Sequence, residues 1–124
     1  GDSMEKTKDT ETTAQKASRA ELTRLKKIVK LVPENKKSVA NSLIKELSFM
    51  AGTLEELKEN ITEHGAVDYF KNGKQEMWRE SPALKSYNTT IQRYSLLYKQ
   101  LCDLLPKEEA VKASDGGLMD FLGV

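Results

Sequence analysis

The side chains able to do covalent or metal chemistry are few and scattered. His64 is the only histidine and Cys102 the only cysteine. His64 stands directly before Gly65, where a helix is expected to stop, so a capping or surface role fits it best. A zinc site needs several His or Cys ligands, and one of each does not make one. Cys102 falls in an apolar helical stretch, where a thiol packs as a small hydrophobe. No Ser-His-Asp grouping with a credible context can be assembled. Neither a GxxxxGK[ST] phosphate loop nor a GxGxxG turn after a strand is present. The carboxylates are abundant but fall on solvent-facing helix positions, with no sign of a shared pocket. Catalytic residues, cofactor and metal are therefore all expected to be absent, and the chain reads as a non-enzyme.

Phosphate neutralisation is the chemistry left. Arg24, Lys26, Lys27, Lys30, Lys36 and Lys37 place six cations within fourteen positions, a density that counterion release from DNA requires. A solvated face or a protein contact would use the same residues, and no recognition-helix pair of the helix-turn-helix kind accompanies them. The formal net charge of +1 conceals opposed blocks. Residues 21–45 carry seven Lys/Arg against two acids and residues 46–80 four against eight. Such segregation points to charge-matched contacts, between subunits or with a polyanion.

These cations must be held by helices. Residues 1–17 are polar and aperiodic and read as a disordered segment, with Gly1-Asp2-Ser3 a cloning remnant and Met4 the native start. Ser18 and Glu21 have capping-box spacing. A short basic helix is expected to follow, with Leu22, Leu25 and Val29 inward and Arg24, Lys26, Lys27 and Lys30 outward. Pro33 ends it. A second helix is predicted over about residues 34–63. Ala40, Leu43, Leu47, Met50, Leu54, Leu57 and Ile61 recur there at alternating intervals of three and four, a heptad seam. Gly52 inside it costs about 1 kcal/mol against alanine and marks a site for a kink. A short β-hairpin is expected around Asn72-Gly73, with Val67, Tyr69, Met77 and Trp78 flanking a type I′ turn and Trp78 anchoring it to the helices. Ser81-Pro82 opens a third helix. Its seam is Leu84, Tyr87, Ile91, Tyr94, Tyr98, Leu101 and Leu105, and Pro106 terminates it.

The predicted fold is mainly α: an antiparallel hairpin of two long helices with a short β-hairpin connector, preceded by a short basic helix, with disordered termini. Residues 18–106 form the helical oligomerisation domain. Residues 107–124 form a flexible acidic tail whose apolar end, Leu118, Met119, Phe121 and Leu122, suits partner docking. Val39, Ile44, Ala51, Leu97 and Cys102 lie off the seams. They are assigned to contacts with neighbouring subunits, since so thin a core favours oligomers; the alternative is that the first helix folds back over them. Lys85 is expected beside Glu59 or Glu63. A single cysteine argues for a reducing compartment, and no stretch reaches the roughly 20 apolar residues of a membrane span.

The segment ESPALKSYNTTIQRYSLLYKQLCDLLPKEE resembles the C-terminal helix of a phage terminase small subunit family. Its motifs are Ser81-Pro82-Ala83-Leu84, Tyr87-Asn88 and Leu104-Leu105-Pro106, and the preceding helix ends at a glycine in EELKENITEHG. The resemblance covers about residues 33–109; the N-terminal part matches only loosely, so DNA-contacting residues do not carry over. It implies a homo-oligomeric ring that binds double-stranded viral DNA in the host cytoplasm. The ring delivers that DNA to the terminase large subunit, which carries the ATPase and nuclease. A phage structural or adaptor protein of the same helical-hairpin type, without DNA binding, is the alternative. A host-directed interaction module is a third reading.

Overall fold

The computed structural model describes residues 10–108. Helix α1 (Thr13–Val29) is followed by a 3-10 turn (Glu34–Lys36), α2 (Lys37–His64), β1 (Val67–Asn72), β2 (Gln75–Glu80) and α3 (Pro82–Asp103). The mainly helical class with a β-hairpin connector is the one the heptads and turn residues predict. The termini expected to be disordered lie in part outside the described residues.

The start of α1 differs from expectation. Thr12 is the N-cap: its hydroxyl accepts from the Gln15 N–H at 3.0 Å, and the Gln15 side chain accepts from the Thr12 N–H at 2.8 Å. This is a capping box six residues upstream of Ser18-Glu21, so residues 13–17 are helical and α1 is not short. Tertiary packing selects the upstream box. A Cβ built on Gly52 would lie 2.7 Å from the Ala14 carbonyl oxygen and 3.3 Å from Ser18 Cβ. Gly52 therefore lets α1 and α2 approach closely, and α2 runs unbroken through it as a helix of 28 residues.

Punctuation elsewhere follows local chemistry. Gly65 closes α2 at φ 89° and donates its N–H to the Ile61 carbonyl at 2.7 Å, a conformation glycine adopts without penalty. The Ser81 hydroxyl accepts from the Ala83 and Leu84 N–H groups at 3.2 and 3.4 Å and caps α3, with Pro82 in its first turn. The Ser81 N–H donates to the Ala66 carbonyl at 2.9 Å, which holds the adjoining ends of α2 and α3 level. Helix α3 ends at Asp103, three residues before Pro106.

Three helices share one core. Leu25, Val29 and Val32 pack with Ala40, Ile44, Leu47 and Leu54 of α2 and with Tyr94, Tyr98, Leu101, Cys102 and Leu105. The seams close α2 on α3 as predicted, with Leu43, Met50, Tyr87 and Ile91 partly buried against the cluster. The assignment of Ile44, Ala51 and Cys102 to neighbouring subunits is overturned: all three are buried within the chain, because α1 folds back along α2. Leu97 is half-buried against the same core, whereas Val39 remains 54% exposed. Each fully buried leucine contributes roughly 2 kcal/mol.

The hairpin pairs β1 with β2 in register from Val67↔Glu80 to Asn72↔Gln75. The central turn residues are thus Gly73 and Lys74, not Asn72-Gly73. Only Gly73 has positive φ, at 63°, the pattern of a type II′ turn and not the expected I′. Trp78 does not anchor the hairpin. It is 71% exposed and meets its cross-strand partner Tyr69 edge-on at 5.2 Å, so its ring serves the hairpin itself. Among the described residues, no ion pair within 4.0 Å joins Lys85 to Glu59 or Glu63. No helix there is long and apolar enough to cross a membrane.

Candidate nucleic-acid interface

Helix α1 sorts its charges onto two sides. Towards α3 it presents Glu21 and Arg24, both drawn into the fold. Glu21 is buried at 8% exposure and accepts a hydrogen bond from the Tyr94 hydroxyl at 2.6 Å. The Arg24 guanidinium pairs with both Glu21 oxygens, donates to the Tyr94 hydroxyl at 3.2 Å and lies 5.7 Å from the Tyr98 ring centre. The two tyrosine rings stack at 5.9 Å. Burial, then the bond to Glu21, raises the Tyr94 hydroxyl well above the usual tyrosine range. Burial works against the Arg24 charge, but its bonds to Glu21 and Tyr98 outweigh that and hold it as a cation.

Arg24 is therefore corrected from a DNA candidate to a structural ion pair. A charge on the flank of a helix turns inward when an acid one turn away and tyrosines from a facing helix satisfy it. The sequence signal for this is Glu21 three residues before Arg24, with Tyr94 and Tyr98 one turn apart.

On the opposite side, Lys26, Lys27 and Lys30 are exposed in the last turn and cap of α1. Lys36, at the end of the 3-10 turn, is exposed as well. None of these four lysines has an ion-pair partner within 4.0 Å among the described residues. Lys37 is half-buried and pairs with Glu34 at 3.3 Å. The short link from Val29 to Glu34 brings the end of α1 against the start of α2, so these cations gather at one end of the bundle. Lys26 and Lys27 also complement the negative end of the α1 dipole. What the cluster can do is offer several ammonium groups to a polyanion, as point charges without base-reading geometry.

The remaining reactive side chains are placed for packing. Burial, helped by the neighbouring Asp103, pushes the Cys102 thiol up to about 11, so it stays protonated at neutral pH. His64 is exposed, 3.9 Å from Glu63, on a shallow groove shared with Asn60, Asp68, Ser81 and Pro82. Ser81 in that groove is already engaged as the α3 cap. Among the described residues no three His, Cys, Asp or Glu side chains converge as a metal site would require. Leu118, Met119, Phe121 and Leu122, expected to dock a partner, lie outside the described residues. Comparison with protein-family models, curated proteins and solved structures returned no match.

Proposed function

We propose that this chain is the non-catalytic small subunit of a phage DNA-packaging terminase. It binds double-stranded viral DNA as an oligomeric ring in the host cytoplasm and recruits or regulates the large ATPase/nuclease subunit. The observation that carries the DNA half of this reading is the open lysine end: Lys26, Lys27, Lys30 and Lys36 exposed together without acidic partners among the described residues. Support for the family comes from the motifs of the second half. A glycine-stopped long helix, an Asn-Gly hairpin and a Ser-Pro-capped helix running to Leu104-Leu105-Pro106 occur here in the terminase order. In this reading the lysines displace counterions from the phosphate backbone, and the ring multiplies a weak single-subunit contact. ATP hydrolysis and DNA cleavage belong to the large subunit.

Filter binding of duplex DNA across a salt series tests it. Changing Lys26, Lys27 and Lys30 together to Gln weakens binding on any sequence. The triple change also reduces the slope of log affinity against log salt by about 2.7, at roughly 0.9 for each phosphate no longer neutralised. Unchanged affinity in the triple variant removes the lysine end as the DNA element. The alternative, a phage structural or adaptor protein of the helical-hairpin type, draws on the exposed apolar side chains of the β-hairpin. It gains if the wild-type chain assembles yet ignores DNA at low salt.

A further inference from the structure

Two outward helix faces are largely exposed, although α1 borders the first of them beside Phe49 and Glu56. On α2 the face opposite the core carries Lys45, Phe49, Glu56 and Glu63, at helical spacings of four and seven. Phe49 is 70% exposed in its middle. On α3 the face opposite the seam carries Lys85, Arg93, Leu96 and Asp103, with Leu96 63% exposed. All the charged residues here are exposed. Among the described residues, only Glu63 has an ion-pair contact within 4.0 Å, the long one to His64.

The two faces match in height as well as in sign. The Ser81–Ala66 hydrogen bond levels the ends of the two helices, so heights can be counted from it at 1.5 Å per residue. Glu63 then stands about 4.5 Å along α2 and Lys85 about 6 Å along α3. Glu56 and Arg93 fall at about 15 and 18 Å, and Phe49 and Leu96 at about 25 and 22 Å. Lys45 and Asp103 fall at about 31 and 33 Å. Reading down the helices, α2 runs acid, acid and apolar, then Lys45 beside the equally exposed Glu46. The α3 face runs base, base, apolar, acid at the same levels. The match of sign is carried by the two levels nearest the hairpin, acids on α2 and bases on α3, with Phe49 and Leu96 stacked beyond them.

We infer that the α2 face of one copy packs on the α3 face of the next copy. The pairs are Glu63 with Lys85, Glu56 with Arg93, Phe49 with Leu96 and Lys45 with Asp103. Neighbouring copies stand side by side with helices aligned, and α2 meets the adjacent α3 in the same antiparallel sense as within the chain. The contact is heterologous, and so generates a ring where its rotation closes. The lysine end of α1 takes no part in it and stays free for another ligand. This interface rests on the reading of the chain as a self-assembling subunit, and does not depend on DNA binding.

Native mass measured by light scattering on the full chain decides it. The wild-type chain should give a closed multimer of the 14.0 kDa subunit. One variant, Glu56→Arg with Glu63→Lys, makes both faces basic; a second, Lys85→Glu with Arg93→Glu, makes both acidic at the same levels. Each alone should fall to the monomer mass with its helical circular dichroism unchanged. An equimolar mixture should re-form multimers, because basic α2 faces then meet acidic α3 faces in alternation, an order that closes at an even number of copies. Wild-type mass retained by each variant alone, or a mixture that stays monomeric, overturns this interface while leaving assembly through another surface intact. A wild-type chain that stays monomeric overturns the interface and the ring together.

Discussion

The heptad seams of α2 and α3 run through two halves of the molecule and give different results in each. In the half flanked by α1, Ala40, Leu47, Tyr94 and Leu101 are completely buried. In the half next to the hairpin, Leu57, Ile61, Leu84, Tyr87 and Ile91 are only partly buried. Beyond them Val67, Tyr69, Met77 and Trp78 are exposed. The residue types and intervals do not differ enough to account for this. Two helices bury a stripe between them; a third wall is needed to seal it, and α1, which begins at Thr13, lies against α2 around Gly52 and Glu56. A heptad repeat therefore predicts which residues face a partner helix but not how dry that contact becomes.

The sharpest way to break this contrast is to cut matched leucines in the two halves. Leu25→Ala, in the wall that α1 supplies, should cost about 3 kcal/mol in urea unfolding. Leu57→Ala, in the half without that wall, should cost about 1 kcal/mol. Equal losses would mean that α1 is not what dries the core.

A second test uses the polar cluster that ties α1 to α3. The neutral Tyr94 hydroxyl is favoured in the folded state, so its pKa there lies above the ordinary value of 10.0. The stability this contributes is complete below pH 10.0 and is lost as pH rises further. Burial shifts Tyr98 in the same direction. Thermal unfolding should therefore move to lower temperature above pH 10.0, with a slope of at most about 1.4 kcal/mol per pH unit for each proton. Tyr94→Phe should make that alkaline slope shallower, and an unchanged slope would detach the effect from this residue.

The smallest expected effect is the most diagnostic in sign. Helix propensity alone makes Gly52→Ala stabilising by about 1 kcal/mol. The contact with the Ala14 carbonyl predicts the reverse, a net destabilisation of about 1 kcal/mol once overpacking is included. A stabilised variant would show that α1 can withdraw from α2 without cost.

What is legible in the sequence follows the range of the forces involved. Pro33, Gly65, Ser81-Pro82 and the two seams are local signals, and the elements they predict are present. The start of α1 is ambiguous locally, because Thr12-Gln15 and Ser18-Glu21 both have capping-box spacing, and only the packing of Ala14 on Gly52 separates them. Gly52 itself looks like a cost until the facing backbone is known. Arg24 groups with the lysines by charge, although its partners include side chains of α3, some seventy residues away. Hydrophobicity sends Trp78 inward, whereas the strand register gives it Tyr69 instead. The lysines are legible as exposed because exposure is the default for an ammonium group with no acid in reach. The complementary outer faces emerge only once the Ser81–Ala66 bond fixes the level of one helix against the other.

The position of Trp78 has an optical consequence. It is the only tryptophan in the chain and stands on the exposed hairpin, whereas Tyr94 and Tyr98 are sealed in the three-helix core. Tryptophan emission therefore follows the hairpin and anything that settles on it, and is nearly blind to the core. Near-ultraviolet dichroism of the buried tyrosine pair follows the core instead. Tyr69 shares the hairpin with Trp78, so it is the Tyr94–Tyr98 pair that reports the core, and a denaturation curve taken by emission alone would record the melting of the hairpin under the name of the whole fold.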